Sequence, residues 1–163
     1  MSGNERTSGR AVFYHLTRSG LAETLLMILG RARDAGWAVM VRGMDRARLE
    51  DLDTRLWVIA AEDSFLPHAV EGGAQDADQP ILLGLGTLPK AARGLVLVDG
   101  AETSFQEAGG LERVWVLFDG ASEVQLSNAR GLWTRLTTEG MAAQYWSEET
   151  GRWQMKAEKT ATV

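Results

Sequence analysis

Arg130, Trp133, Thr134 and Thr137 are spaced three and four residues apart, so on a helix they share a face beside the apolar stripe Ala129, Leu132 and Leu136. Arg beside Trp makes a compact basic and aromatic spot. Such a spot suits a peptide's terminal carboxylate, held by the guanidinium while the indole packs against the peptide's last apolar side chain. The same residues also read as an ordinary helix shoulder with a solvated Arg.

A second constellation is Leu56-Trp57 followed by Ser64-Phe65-Leu66-Pro67-His68. Large apolar groups here fall in or beside loop-like sequence, outside regular core periodicity. Aromatics in a partly exposed patch can carry most of an interface's binding energy. The alternative is that Trp57 and Phe65 simply roof the edge of a sheet.

Catalytic patterns are weaker. The loop Gly84-Leu85-Gly86-Thr87-Leu88-Pro89-Lys90 follows an apolar run and faintly resembles a phosphate cradle. It lacks the third glycine that opens a helix in a dinucleotide fingerprint, and it lacks the Gly-Lys-Ser/Thr of a P-loop. A small nucleotide-binding or hydrolytic α/β enzyme built on Gly84–Lys90 is therefore the alternative reading. Ser64 and His68 are four apart, but Pro67 between them opposes a helical juxtaposition and no glycine-flanked serine elbow is present. His15 reads as a hydrogen-bonded structural histidine in a strand. Asp45, Glu50, Asp51 and Asp53 read as the first turn and solvated face of a helix. No catalytic residue, metal site or cofactor is expected.

The elements that must position these residues alternate. Ala11 to Leu16 reads as a strand ended by Ser19-Gly20, and Leu21 to Ala35 has helical spacing with Gly36 as its cap. Trp37 to Val41 is a second strand, and Asp45 caps a helix through Leu49, Leu52 and Leu56 to Trp57. Pro80 to Leu83, Leu95 to Val98 and Val114 to Phe118 are unpunctuated apolar runs, as in strands buried on both faces. Ala60 to Gln79 reads as a surface loop. Glu123 to Glu139 is a helix stopped by Gly140, and Ala142 to Trp146 with Trp153 to Ala157 forms a C-terminal hairpin. Strand–helix–strand units with short connections predict a three-layer α/β/α fold around a central, mostly parallel sheet.

The 163 residues suit one domain, assigned to 11–157, with 1–10 as a disordered leader and 158–163 as a tail. A hydrophobic share of 45% and a charged share of 24% predict a folded body. The absence of cysteine excludes disulfides and thiolate metal sites, and it suits a cytoplasmic location. No apolar run is long enough for a bilayer, so no membrane association is expected. The net charge of −5 opposes a protein whose main task is neutralising phosphates, so any contact with single-stranded DNA is expected to be indirect.

In order along the chain, Phe13-Tyr14-His15-Leu16, the Leu21–Ala35 helix, Trp37-Ala38-Val39-Met40-Val41, Leu56-Trp57, Ser64-Phe65-Leu66-Pro67-His68, Pro80-Ile81-Leu82-Leu83 and Ala129-Arg130-Gly131-Leu132-Trp133 resemble the chi subunit of bacterial DNA polymerase III. The similarity covers roughly residues 11–157, and its most specific motif is Ser64 to His68. The resemblance implies a nucleotide-binding-like fold without nucleotide chemistry: a non-catalytic accessory subunit of the clamp-loader assembly. It implies two partners, within a hetero-complex that holds the chain as a monomer. The acidic C-terminal tail of single-stranded-DNA-binding protein would dock at Arg130 and Trp133, with Thr134 and Arg135 as the further residues of that site. The psi subunit, or an equivalent such as a helicase-like repair protein, would dock at Leu56, Trp57, Phe65, Pro67 and His68. Family members usually carry a lysine directly after the helix aromatic. Here Thr134 stands there and Arg135 is the next basic group.

Overall fold

Seven residues rich in apolar and aromatic side chains, Arg10–Leu16, form strand β1 near the middle of the sheet. The computed structural model describes residues 10–60, 67–73, 76 and 79–161. After β1 come α1 (Leu21–Asp34), β2 (Ala38–Arg42), α2 (Arg46–Ile59), β3 (Ala69–Val70), β4 (Ile81–Gly84), β5 (Ala92–Leu97), α3 (Phe105–Gly109), β6 (Arg113–Asp119), α4 (Glu123–Thr138), β7 (Ala142–Ser147) and β8 (Gln154–Lys159). The eight strands lie in the order β3-β4-β2-β5-β6-β1-β7-β8. Each neighbouring pair is parallel except the C-terminal hairpin β7–β8. The expected α/β class is the one observed.

Both faces of the sheet are covered, which is why its central strands lack polar alternation. On one face α1 and α2 bury Leu25, Ile28, Leu29, Leu49 and Leu56 against Val12, Val39, Val41 and Trp115. On the other, Ala108 of α3 and Ala129, Leu132 and Leu136 of α4 pack on Phe13, Met40, Leu95 and Phe118. Each fully buried Leu, Ile or Phe contributes roughly 1.5–3 kcal/mol. Among the described residues no helix is long and apolar enough to cross a membrane.

Helix ends follow the predicted chemistry. The Asp45 carboxylate accepts from the Ala47 amide at 2.8 Å, capping α2. At the end of α1, Gly36 takes φ of +80°, and the amides of Gly36 and Trp37 donate back to Arg33 and Ala32. That closure removes Trp37 from the ladder, so β2 starts at Ala38 and not at Trp37. Gly140 ends α4 in the same way, with the Met141 amide on the Leu136 carbonyl.

Other boundaries also move. Arg10 belongs to β1, and the hairpin runs to Lys159. The short β3 lies inside the segment read as loop, and α3 has no counterpart in the sequence reading. Elements of two and five residues are too short to display a period. Ser64, Phe65 and Leu66 lie outside the described residues.

Candidate functional site

The face predicted on α4 forms one wall of a groove of about 540 Å³ lined by Ala129, Arg130, Trp133 and Thr134 from the helix and by Tyr145, Lys156 and Ala157 from the hairpin. Trp133 is braced from behind. Its ring meets Phe13 edge-on at 5.3 Å and Tyr145 at 6.2 Å, so the indole is held by the core while part of it stays accessible. The Thr134 hydroxyl donates to the Arg130 carbonyl. Arg130 is exposed, and among the described residues no carboxylate lies within 4.0 Å of Arg130 or Lys156.

Arg135 does not join them. Its guanidinium is paired with Glu102, from the loop after β5, and it is not among the residues lining the groove. The second cation in the groove lining is Lys156, which sequence reasoning missed. Its placement depends on an irregular pairing: Tyr145 sits opposite Ala157 and Trp146 opposite Met155, leaving Lys156 without a partner across the ladder. Adjacent strand residues normally face opposite sides. At this bulge the alternation breaks, and Lys156 and Ala157 line the same groove.

Tyr145 is the other residue the sequence did not single out. Its hydroxyl lies 2.8 Å from His15 Nδ1, which gives the strand histidine the hydrogen bond expected of it. Burial raises the Tyr145 phenol above its ordinary value, opposed by the positive charge of Arg130.

Of the second constellation, the described residues divide between core and surface. Leu56 is 0% exposed, and its side chain belongs to the core beneath α2. His68 is 4% exposed, stacked on Trp57 at 4.1 Å and within 3.2 Å of the Asp53 carbonyl. Both side chains are thus buried in this conformation. Burial raises the Asp53 carboxyl, opposed by His68 and by a hydrogen bond from Trp57. What reaches the surface is Trp57, 47% exposed, its neighbour Val58 at 76%, and the partly exposed Pro67.

Both places where an α/β fold of this kind would hold a phosphate are filled by the chain's own carboxylates. In the glycine loop, the Leu85 amide donates to Glu71 Oε2 at 2.9 Å, and a Cβ at Gly84 would lie 2.1 Å from Glu71 Oε1. No helix follows, since β5 begins at Ala92. At the β1–α1 turn, the amides of Thr17, Arg18 and Ser19 converge on Glu148 Oε2 at 2.9, 3.0 and 2.8 Å, and the Ser19 hydroxyl donates to Oε1 at 2.8 Å. This is an anion nest already occupied. At the Gly84–Lys90 loop, the Glu71 carboxylate occupies the Leu85 amide that a phosphate would need.

The family model for the DNA polymerase III chi subunit, HolC, matches residues 9–144. The chain belongs to the DNA polymerase III chi subunit family. A chi-family relative from Pseudomonas aeruginosa, DNA polymerase III subunit chi, is 37% identical over 62 residues, covering 38% of this chain and 42% of the relative. The match therefore spans less than half the length of that curated relative. In this chi-family fold the α4–β8 groove lies on one face of the sheet and the Trp57 patch on the opposite face, at the C-terminal end of α2. One molecule thus carries two separate surfaces.

Proposed function

We propose that this chain is a non-catalytic accessory subunit of DNA polymerase III that joins the clamp-loader assembly to protein-coated single strands. The α4–β8 groove receives the acidic C-terminal tail of single-stranded-DNA-binding protein. The Trp57–Val58 surface, with Pro67, receives psi or an equivalent subunit.

The observation that carries this reading is the pairing of two unneutralised cations, Arg130 and Lys156, with a braced aromatic wall, Trp133 and Tyr145, in a single open groove. A free carboxylate recruits the guanidinium through charge-assisted hydrogen bonds, and a terminal aromatic side chain packs on the indole. An acidic tail gains further from the local positive potential on an otherwise acidic body.

The test is fluorescence anisotropy of a labelled acidic peptide ending in Pro-Phe with a free carboxylate. Wild type binds in a salt-sensitive manner and Arg130→Ala loses at least about tenfold in affinity, in line with loss of a charge-assisted bond. Equal binding by the variant would remove the groove from the proposal. Binding to an amidated peptide as tight as to the free acid would remove the carboxylate from it.

A further inference from the structure

A second basic and aromatic concavity lies on the opposite face of the sheet. It is a cleft of about 300 Å³ beside α1, and its lining includes Arg10, Arg31 and Arg113 together with Tyr14, Trp37 and Trp146. Alternation along two strands separates it from the α4–β8 groove. On β1, Phe13 backs the groove while Tyr14 lines the cleft. On β7, Tyr145 lines the groove and Trp146 the cleft. The two sites therefore share a sheet and no surface.

Among the described residues no carboxylate lies within 4.0 Å of Arg10, Arg31 or Arg113, and the adjacent Glu112 is committed to Arg93 at 2.6 Å. The Arg113 guanidinium lies 5.9 Å from the centre of the Trp37 ring, and its Nε is buried without a hydrogen-bond partner. Burial and the repulsion of Arg10 lower the Arg113 pKa, opposed by Tyr14 and Glu112. Burial raises the Tyr14 phenol pKa, opposed by the positive charges of Arg31 and Arg113. Leaving like charges together around a half-buried guanidinium is costly unless an anion joins them.

A phosphate satisfies such a set bidentately, and flat indole faces beside it offer a stacking surface for a base. Gln144 also lines the cleft and holds the Trp146 indole N–H at 3.1 Å, which fixes that ring's orientation. The volume is at the small end for a ligand site, enough for one unit of a polymer and too little for a run of them. The net charge of −5 agrees, since an acidic body disfavours tracking many phosphates.

We infer that this cleft is a nucleotide-unit site, taking one phosphate on its guanidiniums and the attached base on its indoles, as supplied by single-stranded DNA. This goes beyond the indirect contact with DNA that the linking role requires, and it stands independently of the peptide groove.

The test uses the full chain with a short fluorescein-labelled oligodeoxythymidylate at low salt, read by anisotropy and by quenching of tryptophan emission. Both signals are expected for wild type. The double charge reversal Arg10→Glu with Arg31→Glu, at two exposed positions, is expected to weaken binding by at least about tenfold and to flatten its salt dependence. Trp37→Ala is a second variant that removes stacking surface without changing charge. Circular dichroism of each variant confirms folding. Thymidine 5′-monophosphate is the competitor that distinguishes sources: competition at comparable affinity assigns the site to free nucleotides, and its absence assigns it to the strand. Undiminished binding by the charge reversal would overturn the inference. So would an abasic strand binding as tightly as the thymidylate, or the acidic Pro-Phe peptide displacing the oligonucleotide. Arg130→Ala leaves oligonucleotide binding intact and the charge reversal leaves peptide binding intact, so the two proposals fail separately.

Discussion

His15 Nδ1 and the Tyr145 hydroxyl lie 2.8 Å apart, joining a strand in the middle of the sheet to the wall of the α4–β8 groove. Gly120 makes room for this contact, because a Cβ there would lie 1.9 Å from His15 Nε2. Tyr145→Phe keeps the packing and removes the hydrogen bond, so stability should fall by about 1 kcal/mol. Gly120→Ala must push the imidazole aside and should cost more, about 1–3 kcal/mol, with a larger loss of peptide binding. Urea midpoints of both variants check this order; equal effects would mean the imidazole yields freely.

The three basic residues near the groove should behave differently. Lys156→Ala should weaken acidic-peptide binding by about three- to tenfold, less than Arg130→Ala, since a point charge on a flexible stem gives up less than a bidentate fork. Arg135→Ala should change it by less than about twofold, because that guanidinium is committed to Glu102. A peptide titration of the three variants settles the ranking, and a large effect of Arg135→Ala would contradict the observed pairing.

Glu148 ties the hairpin to the start of α1. Burial raises its carboxyl pKa, but hydrogen bonds from the Ser19, Thr17 and Arg18 amides and the Ser19 hydroxyl outweigh this, so the folded value lies below the ordinary carboxylate range. A depressed carboxyl stabilises the fold above its unfolded pKa, and that contribution is lost as pH falls through the folded value. Stability should therefore decline as pH drops from about 5 through the acid range. Glu148→Gln should lose about 2–3 kcal/mol near neutrality through its charge-assisted bonds. The gap between variant and wild type should close at low pH. Denaturant midpoints against pH measure both; a constant gap would mean the bonds do not depend on ionisation.

Trp57 and Leu56 are neighbours with opposite fates. Leu56→Ala should cost about 2–5 kcal/mol as a core cavity. Trp57→Ala should cost only about 1 kcal/mol, from the stack on His68, while abolishing capture by a tagged psi subunit. Co-purification and thermal melts separate stability from binding; retention of psi by Trp57→Ala would move the partner surface elsewhere.

Much of this architecture is legible in the residue order. Apolar runs such as Val114 to Phe118 announce strands covered on both faces, and Gly36 and Gly140 mark helix ends because they alone there take positive φ cheaply. The Arg130 and Trp133 face is equally readable, since residues three and four apart on one helix are neighbours whatever the rest of the chain does. Loop-like context did not reveal the fate of Leu56 or His68. Leu56 continues the 3.6-residue stripe of Leu49 and Leu52, and that period outweighs its nearness to a loop.

What the sequence determined by itself is the longer elements and their order, from which a mostly parallel sheet follows, and one basic and aromatic helix face. Tertiary structure decided everything that needs two distant segments to meet. Lys156 joins Arg130 in lining one groove at a hairpin bulge, Arg135 is paired with Glu102, and Glu148 fills a turn about 130 residues away. The cleft of Arg10, Arg31 and Arg113 assembles from β1, α1 and β6, none of which looks basic alone. Spacing along a chain encodes neighbours within an element, whereas charge balance at a site depends on which elements the sheet order brings together.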